Sequence, residues 1–323
     1  MMPDPARWWR GGLCGRIGPS AGAGIELRRQ PLVDGVRALR PHQWAKNLLV
    51  FVPLALTPQR VAEPGLQLAA LAAFAAFSLA ASAGYIANDL LDLEADRAHP
   101  EKRHRPFASG ALGRASGVAM AALLGLAAFG LAFAFTTRSF AVVLVSYVAL
   151  TLGYSLFLKR LLLVDVILLA GLYTLRVIGG AAAVSIALTP WLLAFSLFIF
   201  LSLAFAKRYS ELQLLASRQE DRAKGRAYRV EDLDLVAVLG ATSGYLSVLV
   251  LCLYINSDVV RELYRTVEAL WFLCPILLYW ISRIWFLARR GELPGDPVAF
   301  AVRDPVSWLS GALMGIVIAV AVV

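Results

Sequence analysis

Asn88-Asp89-Leu90-Leu91-Asp92-Leu93-Glu94-Ala95-Asp96-Arg97-Ala98-His99-Pro100-Glu101-Lys102-Arg103-His104-Arg105-Pro106 follows directly on an apolar run from Leu66 to Ala87. That run is long enough to cross a bilayer as a helix. It delivers an asparagine and three aspartates to the end of a membrane helix, with a dense basic run just behind them. Carboxylates at membrane depth are costly and point to function by default. Carboxylates followed at once by arginine and lysine suit a Mg2+-bound diphosphate, because the metal and the phosphates present opposite charges to satisfy.

The rest of the chain carries the same membrane character. Of its 323 residues, 59% are hydrophobic and 16% charged, too apolar for a soluble domain. Eight apolar segments have spanning length, at about 66–87, 116–136, 139–157, 162–184, 189–206, 235–256, 267–288 and 305–323. A ninth, Asn47 to Thr57, is short, so it is tilted or partly interfacial. The prediction is an all-α polytopic membrane bundle of nine transmembrane helices. With the N-terminus inside, the cytoplasmic segments hold 26 of the 31 Lys and Arg. The opposite side holds Arg60, Arg138, Arg261 and Arg265, and Arg176 lies inside a helix. This asymmetry places the protein in the plasma or inner membrane, with the polar loops 88–115 and 207–234 cytoplasmic.

The net charge of +9 therefore reads as topology and phosphate binding. Nucleic acid is not an expected partner, since the basic residues border membrane segments and no nucleic-acid motif accompanies them. Cys14, Cys252 and Cys274 are isolated in sequence and suggest neither a disulfide framework nor a zinc site. Residues 1–38 form a disordered or interfacial N-terminal segment, with a short interfacial helix over 32–40. They lack the apolar core of a cleaved secretory signal. One membrane domain, 39–323, follows.

At 100° per residue, Asn88, Asp92 and Asp96 fall within an arc of about 80°, with Asp89 about 100° from Asn88. All four face one cavity if the helix continues through them. Behind them, Arg97, Lys102, Arg103 and Arg105 can clamp phosphates. A second cluster is Tyr154, Lys159 and Arg160, followed by Asp165 and Arg176 within the next apolar segment. Those last two share a helix face but stand about 16 Å apart, so each must find a polar cavity or another helix. A third cluster is Lys207, Arg208 and Glu211; Lys207 and Glu211 could simply form a helix pair. Lys46 and Asn47 sit at the mouth of the first helix, Lys46 as an interfacial anchor or a ligand contact. Gly171, Gly179 and Gly180 allow close helix packing. His99 and His104 read as loop residues. No GxGxxG, Walker A, HExxH or GxSxG motif occurs.

These motifs resemble the UbiA superfamily of intramembrane prenyltransferases. The marks are RPHQWAKN at 40–47, NDLLDLEADRAHPEKRHRP at 88–106, YSLFLKR at 154–160, VDVILLAGLYTLRVIGG at 164–180 and KRYSEL at 207–212. The resemblance covers nearly everything from Leu39 onward. It implies nine helices around a central cavity that opens laterally to lipid, with Mg2+ as cofactor. Typical members carry a second Asp-rich motif after the sixth helix. Here that region is KRYSEL, with Asp232 and Asp234 further on, which resembles the branch typified by decaprenyl-phosphate phosphoribosyltransferase.

The resemblance implies transfer of phosphoribose from phosphoribosyl pyrophosphate to a polyprenyl phosphate. Asn88, Asp89, Asp92 and Asp96 would hold the metal. Asp92, Asp96, Lys46, Tyr154, Lys159 and Lys207 would be the catalytic groups. Asn47, Arg97, Lys102, Arg103, Arg105, Arg160, Asp165, Arg176, Arg208 and Glu211 would contact substrate. The partners are a polyprenyl lipid, a diphosphate-bearing donor and the membrane; the sequence leaves open whether the chain forms a homo-oligomer. The alternatives are prenyl transfer to an aromatic acceptor such as 4-hydroxybenzoate, and, in a different class, a transporter or non-catalytic lipid-binding protein with a pathway lined by Asp165 and Arg176. A transport path has no need of four metal-ligand groups at one helix mouth.

Overall fold

The structure is a computed structural model that describes residues 30–57, 59–98, 102–221, 226–293 and 295–322. The N-terminal segment up to residue 29, with Cys14, and also His99 lie outside the described residues. The elements are helical, and no strand occurs among the described residues. In chain order the α-helices are α1 Gln30–Leu39, α2 Val52–Ala55, α3 Pro64–Leu91, α4 Leu93–Ala98, α5 Arg114–Phe135 and α6 Arg138–Leu156. They continue with α7 Val164–Ala183, α8 Pro190–Ser217, α9 Leu233–Ile255, α10 Asp258–Leu263, α11 Leu273–Arg289, α12 Pro297–Ala301 and α13 Pro305–Val322.

Among the described residues, eight helices are long and apolar enough to cross a membrane. Large apolar side chains such as Leu126, Phe133, Val142, Leu249 and Ile316 stand exposed on their outer faces. That pattern is expected where the surrounding solvent is lipid. The predicted ninth helix takes a different form. Residues Pro41–Phe51 wind as a 3-10 helix and only Val52–Ala55 as α. Arg40, at φ 51°, turns the chain out of α1, and Pro41 sets the first residue of the new segment. The tighter 3-10 winding rises about 2.0 Å per residue, which draws a short segment along the bundle.

The two largest of five apolar cores among the described residues hold the middle of the bundle. In one, Ala73, Ala76, Phe77 and Ala80 of α3 meet Ala128 and Ala132 of α5 and Phe140, Leu144 and Tyr147 of α6. Alanines along α3 let α5 approach closely, the usual substitute for hydrophobic drive inside lipid. In the other, Val166 and Val177 of α7 pack with Leu203 and Leu212 of α8, Val236 of α9 and Ile281 of α11. Helix α7 contributes to both cores, with Leu172 and Ala183 in the first. Its Gly180 is held against the 3-10 segment: a Cβ there would sit 2.0 Å from the Val50 carbonyl oxygen. Gly179 likewise meets Phe77, whereas Gly171 has nothing within 4 Å and plays no packing part.

Helices α3 and α8 are the longest, at 28 residues each, or about 42 Å. A hydrocarbon core of about 30 Å uses only part of that length. Asn88 in the last turn of α3 and Lys207, further from the end of α8, line the same cavity.

Candidate active site

A cavity of about 360 Å³ lies between α3, α6, α7, α8 and the 3-10 segment. Eight of the side chains that line it are Lys or Arg: Arg40, Lys46, Lys102, Arg105, Lys159, Arg176, Lys207 and Arg226. One carboxylate, Asp92, faces them. Tyr147, Tyr154, Tyr173, Thr151 and Ser155 supply hydroxyls, and Asn88 an amide. Such a lining is built for a polyanion. A larger cavity, about 470 Å³, lies elsewhere among Trp191, Phe195, Tyr254 and Leu273; its lining contains no charged side chain.

The acidic motif is divided by the backbone. Helix α3 ends at Leu91, and Asp92, at φ −91° and ψ 11°, breaks it before α4. The uninterrupted arc that would turn all four groups to one cavity is therefore not formed. Asn88 and Asp92 line the cavity. Asp89 and Asp96 are buried behind it. Asp89 accepts from Arg40 at 2.6 Å and from Arg105 at 3.1 Å, and Asp96 accepts from Arg105 at 2.6 Å. Lys159 approaches Asp92 at 3.6 Å.

The predicted phosphate clamps separate in the same way. Lys102 and Arg105 line the cavity. Arg97 instead donates to the Ala108 carbonyl at 3.3 Å, and Arg103 to His104 at 3.3 Å. Arg160 is exposed at the end of a short 3-10 turn, outside the cavity lining. Arg97, Arg103 and Arg160 therefore do not reach the site in this arrangement. Tyr154 and Lys159 do.

Asp165 and Arg176 each find a partner on another element, as their separation requires. Arg176 donates from Nε to Asn47 Oδ1 at 2.8 Å, to the Leu172 carbonyl at 2.6 Å and to Tyr147 at 3.0 Å. It lies at the cavity floor, over the Tyr147 ring. Asp165 is fully buried, 2.7 Å from Arg208 Nη2, and accepts from Tyr228 at 2.9 Å. Arg208 also pairs with Glu211. Arg226 stands 3.5 Å from both Asp165 and Glu211 while lining the cavity. Burial opposes the charge on Arg226, but Glu211 and Tyr154 more than offset it and raise its pKa. Asp165, Arg208 and Glu211 thus form a wall behind the cavity. The alternative of a simple Lys207–Glu211 helix pair gives way to other partners: Lys207 pairs with Asp296, and Glu211 with Arg208 and Arg226. Asp232 caps its own turn by accepting from the Arg229 N–H at 2.8 Å.

Asp296 was not singled out among the site residues. It lies in the connection between the last two spanning helices. It accepts from Lys46 at 2.6 Å and Lys207 at 3.3 Å on Oδ2. Tyr173 donates to it at 3.1 Å, and the Val298 and Ala299 N–H groups at 3.1 and 3.3 Å. Burial pushes Lys46 down to about 8, a fall that Asp296 resists and that Lys207 and Arg176 reinforce. Burial works to raise the Asp296 carboxyl, but Lys207 and Lys46 outweigh it and hold it well below the usual carboxylate range. The one signal in the sequence is Gly295-Asp296-Pro297, a helix-start pattern. Arg40 and Arg226 are further cavity cations without an individual prediction.

Among the described residues no three His, Cys, Asp or Glu side chains gather into a metal cage. Mg2+ does not need one. It is commonly held through one or two carboxylates, waters and substrate phosphates. Asn88 and Asp92 on the cavity wall fit an ion completed by a phosphate-bearing ligand.

With fold and cavity in view, residues 48–321 match the UbiA prenyltransferase family. The chain belongs to this family and is an integral membrane transferase of it. It is 40% identical over 302 residues to the uncharacterized protein y4nM of Sinorhizobium fredii, covering 90% of this chain and 58% of that longer relative. It is 36% identical over 289 residues to the nodulation protein NoeC of Azorhizobium caulinodans, covering 89% and 93% of the two chains. It is 35% identical over 284 residues to the decaprenyl-phosphate phosphoribosyltransferase of Mycobacterium tuberculosis, covering 86% and 91%. Its fold matches a UbiA homolog from Archaeoglobus fulgidus bound to DMAPP and Mg2+, with a TM-score of 0.65 at 15% identity, covering 88% and 99%.

Proposed function

We propose that this protein transfers 5-phosphoribose from phosphoribosyl pyrophosphate to a polyprenyl phosphate, releasing pyrophosphate. The observation that carries the reading is the charge of the cavity: eight cations line it against one carboxylate. On the α8 side, where a second acidic metal site would stand, Asp165 and Glu211 are taken up by Arg208 and Arg226. Two phosphate-bearing substrates need that excess of fixed positive charge. A neutral aromatic acceptor does not. The 35% identity to a decaprenyl-phosphate phosphoribosyltransferase supports the same choice.

Asn88 and Asp92 are the residues that would hold Mg2+, with Asp89 and Asp96 adding negative potential from behind. The ion, when bound, neutralises charge on the leaving pyrophosphate. Arg105, Lys102 and Lys159 stabilise the same developing charge from the protein side. An oxygen of the lipid phosphate, held by Lys46 and Lys207, forms a bond to the anomeric carbon as the bond from that carbon to pyrophosphate breaks. The nucleophile is already anionic, so no base has to remove a proton. Arg176 and the tyrosine hydroxyls orient the sugar phosphate. The basic border of the cavity, by the positive-inside rule, supports a site that faces the cytoplasm from the plasma or inner membrane.

Pyrophosphate release by purified protein with Mg2+ tests the reading with two substrate pairs. Release is expected with phosphoribosyl pyrophosphate plus polyprenyl phosphate. Release only with a polyprenyl diphosphate plus 4-hydroxybenzoate would overturn it.

A further inference from the structure

Three separate pieces of chain converge on Asp296, and its own turn closes over it. Lys46 comes from the 3-10 segment, Lys207 from α8 and Tyr173 from α7, and the Val298 and Ala299 N–H groups belong to its own turn. The division of labour between its oxygens is specific. Oδ1 is fixed by the two backbone N–H groups, while Oδ2 receives both ammonium groups. Two cations converging on one anionic oxygen is how a phosphate oxygen is received. The carboxylate and a phosphate therefore compete for the same pair of ammonium groups.

We propose that Asp296 is a positioning residue for phosphate: it keeps Lys46 charged, aims Lys46 and Lys207 into the cavity, and yields them to a phosphate group of the substrate. The proposal rests on the reading of the cavity as a phosphate site. Its physical basis is the set of groups around Lys46. Asp296 faces it from the loop, Lys207 from α8, Tyr173 and Arg176 from α7, and Arg40 and His42 lie on its own stretch of chain. Asp296 is the anion of that set. Remove its charge, and the buried Lys46 ammonium, beside Lys207 and Arg176, sheds its proton more readily. A cavity that loses that charge grips phosphate less tightly.

Acetylation of Lys46 and Lys207 by trace acetic anhydride across pH, read by mass spectrometry on the full chain in detergent, follows each proton directly without requiring turnover. For the wild type the Lys46 midpoint is expected at about 8. Asp296→Asn keeps the side chain's shape and its backbone hydrogen bonds. It should lower that midpoint by about one pH unit. Inorganic phosphate should protect both lysines in the wild type. An unmoved midpoint in Asp296→Asn, with protection intact, overturns the role of Asp296 and leaves the phosphate site standing. A shifted midpoint with no protection overturns the phosphate reading and this proposal with it. Lys207→Gln is the second variant should Asp296→Asn not fold. With Asp296 then serving Lys46 alone, the Lys46 midpoint should rise, and a midpoint that stays or falls overturns the proposal.

Discussion

Arg176 Nε donates to Asn47 Oδ1 at 2.8 Å, across 129 positions of sequence. Both side chains are buried. This bond ties the 3-10 segment to α7 beneath the cavity and sets the position of the adjacent Lys46. Asn47→Leu removes the acceptor and leaves a buried guanidinium short of a partner. The expected loss is about 2 kcal/mol of stability, seen as a lower unfolding temperature in detergent. A variant as stable as wild type would refute the tie.

The division of the acidic motif predicts unequal variants. Asp92→Ala should lower Mg2+-dependent pyrophosphate release at least about 100-fold while leaving thermal stability near wild type. Asp89→Ala should lower both, because Arg40 and Arg105 lose a buried counter-ion. Full turnover in Asp92→Ala would sink the assignment of the site.

Lys46 gives the site a pH dependence whose sign is fixed. Its ammonium form attracts the lipid phosphate, and that form is lost as pH rises through about 8. KM for the polyprenyl phosphate should therefore increase above that pH. Lys46→Arg keeps its charge throughout this range, so its KM should stay flat where the wild-type value climbs. Parallel profiles would show that another group governs the limb.

Gly180 and Gly171 provide a matched pair on one helix. Gly180→Ala drives a Cβ into the Val50 backbone. It should cost about 2 kcal/mol and reduce turnover by shifting Lys46 and Asn47. Gly171→Ala meets nothing within 4 Å and should leave stability unchanged or slightly improved. Equal stability of the two variants, measured by thermal unfolding, would contradict the close approach of the 3-10 segment.

Much of the architecture was legible in the chain because it follows from local chemistry. Runs of about 20 apolar residues report spans by length alone, and eight such helices are present among the described residues. The acidic motif at the end of α3, the basic run and KRYSEL all lie at one end of the bundle. Asp165 and Arg176 had to find partners on other elements, and both do. The form of the short first segment was not legible, since its tight winding depends on the approach to Gly180.

What the sequence determined by itself was membrane class, family and the acidic and basic character of the site, because those depend on composition and short motifs. Tertiary structure alone decided which charges face the cavity. Nothing in the spacing of Asp89, Asp92 and Asp96 says that Arg40 and Arg105 take up two of them and leave Asp92 to the cavity. Nor does any motif link Asp296 to Lys46, 250 positions away. A charge buried beside a membrane must be paired or solvated, but which partner does so is settled by where distant helices end.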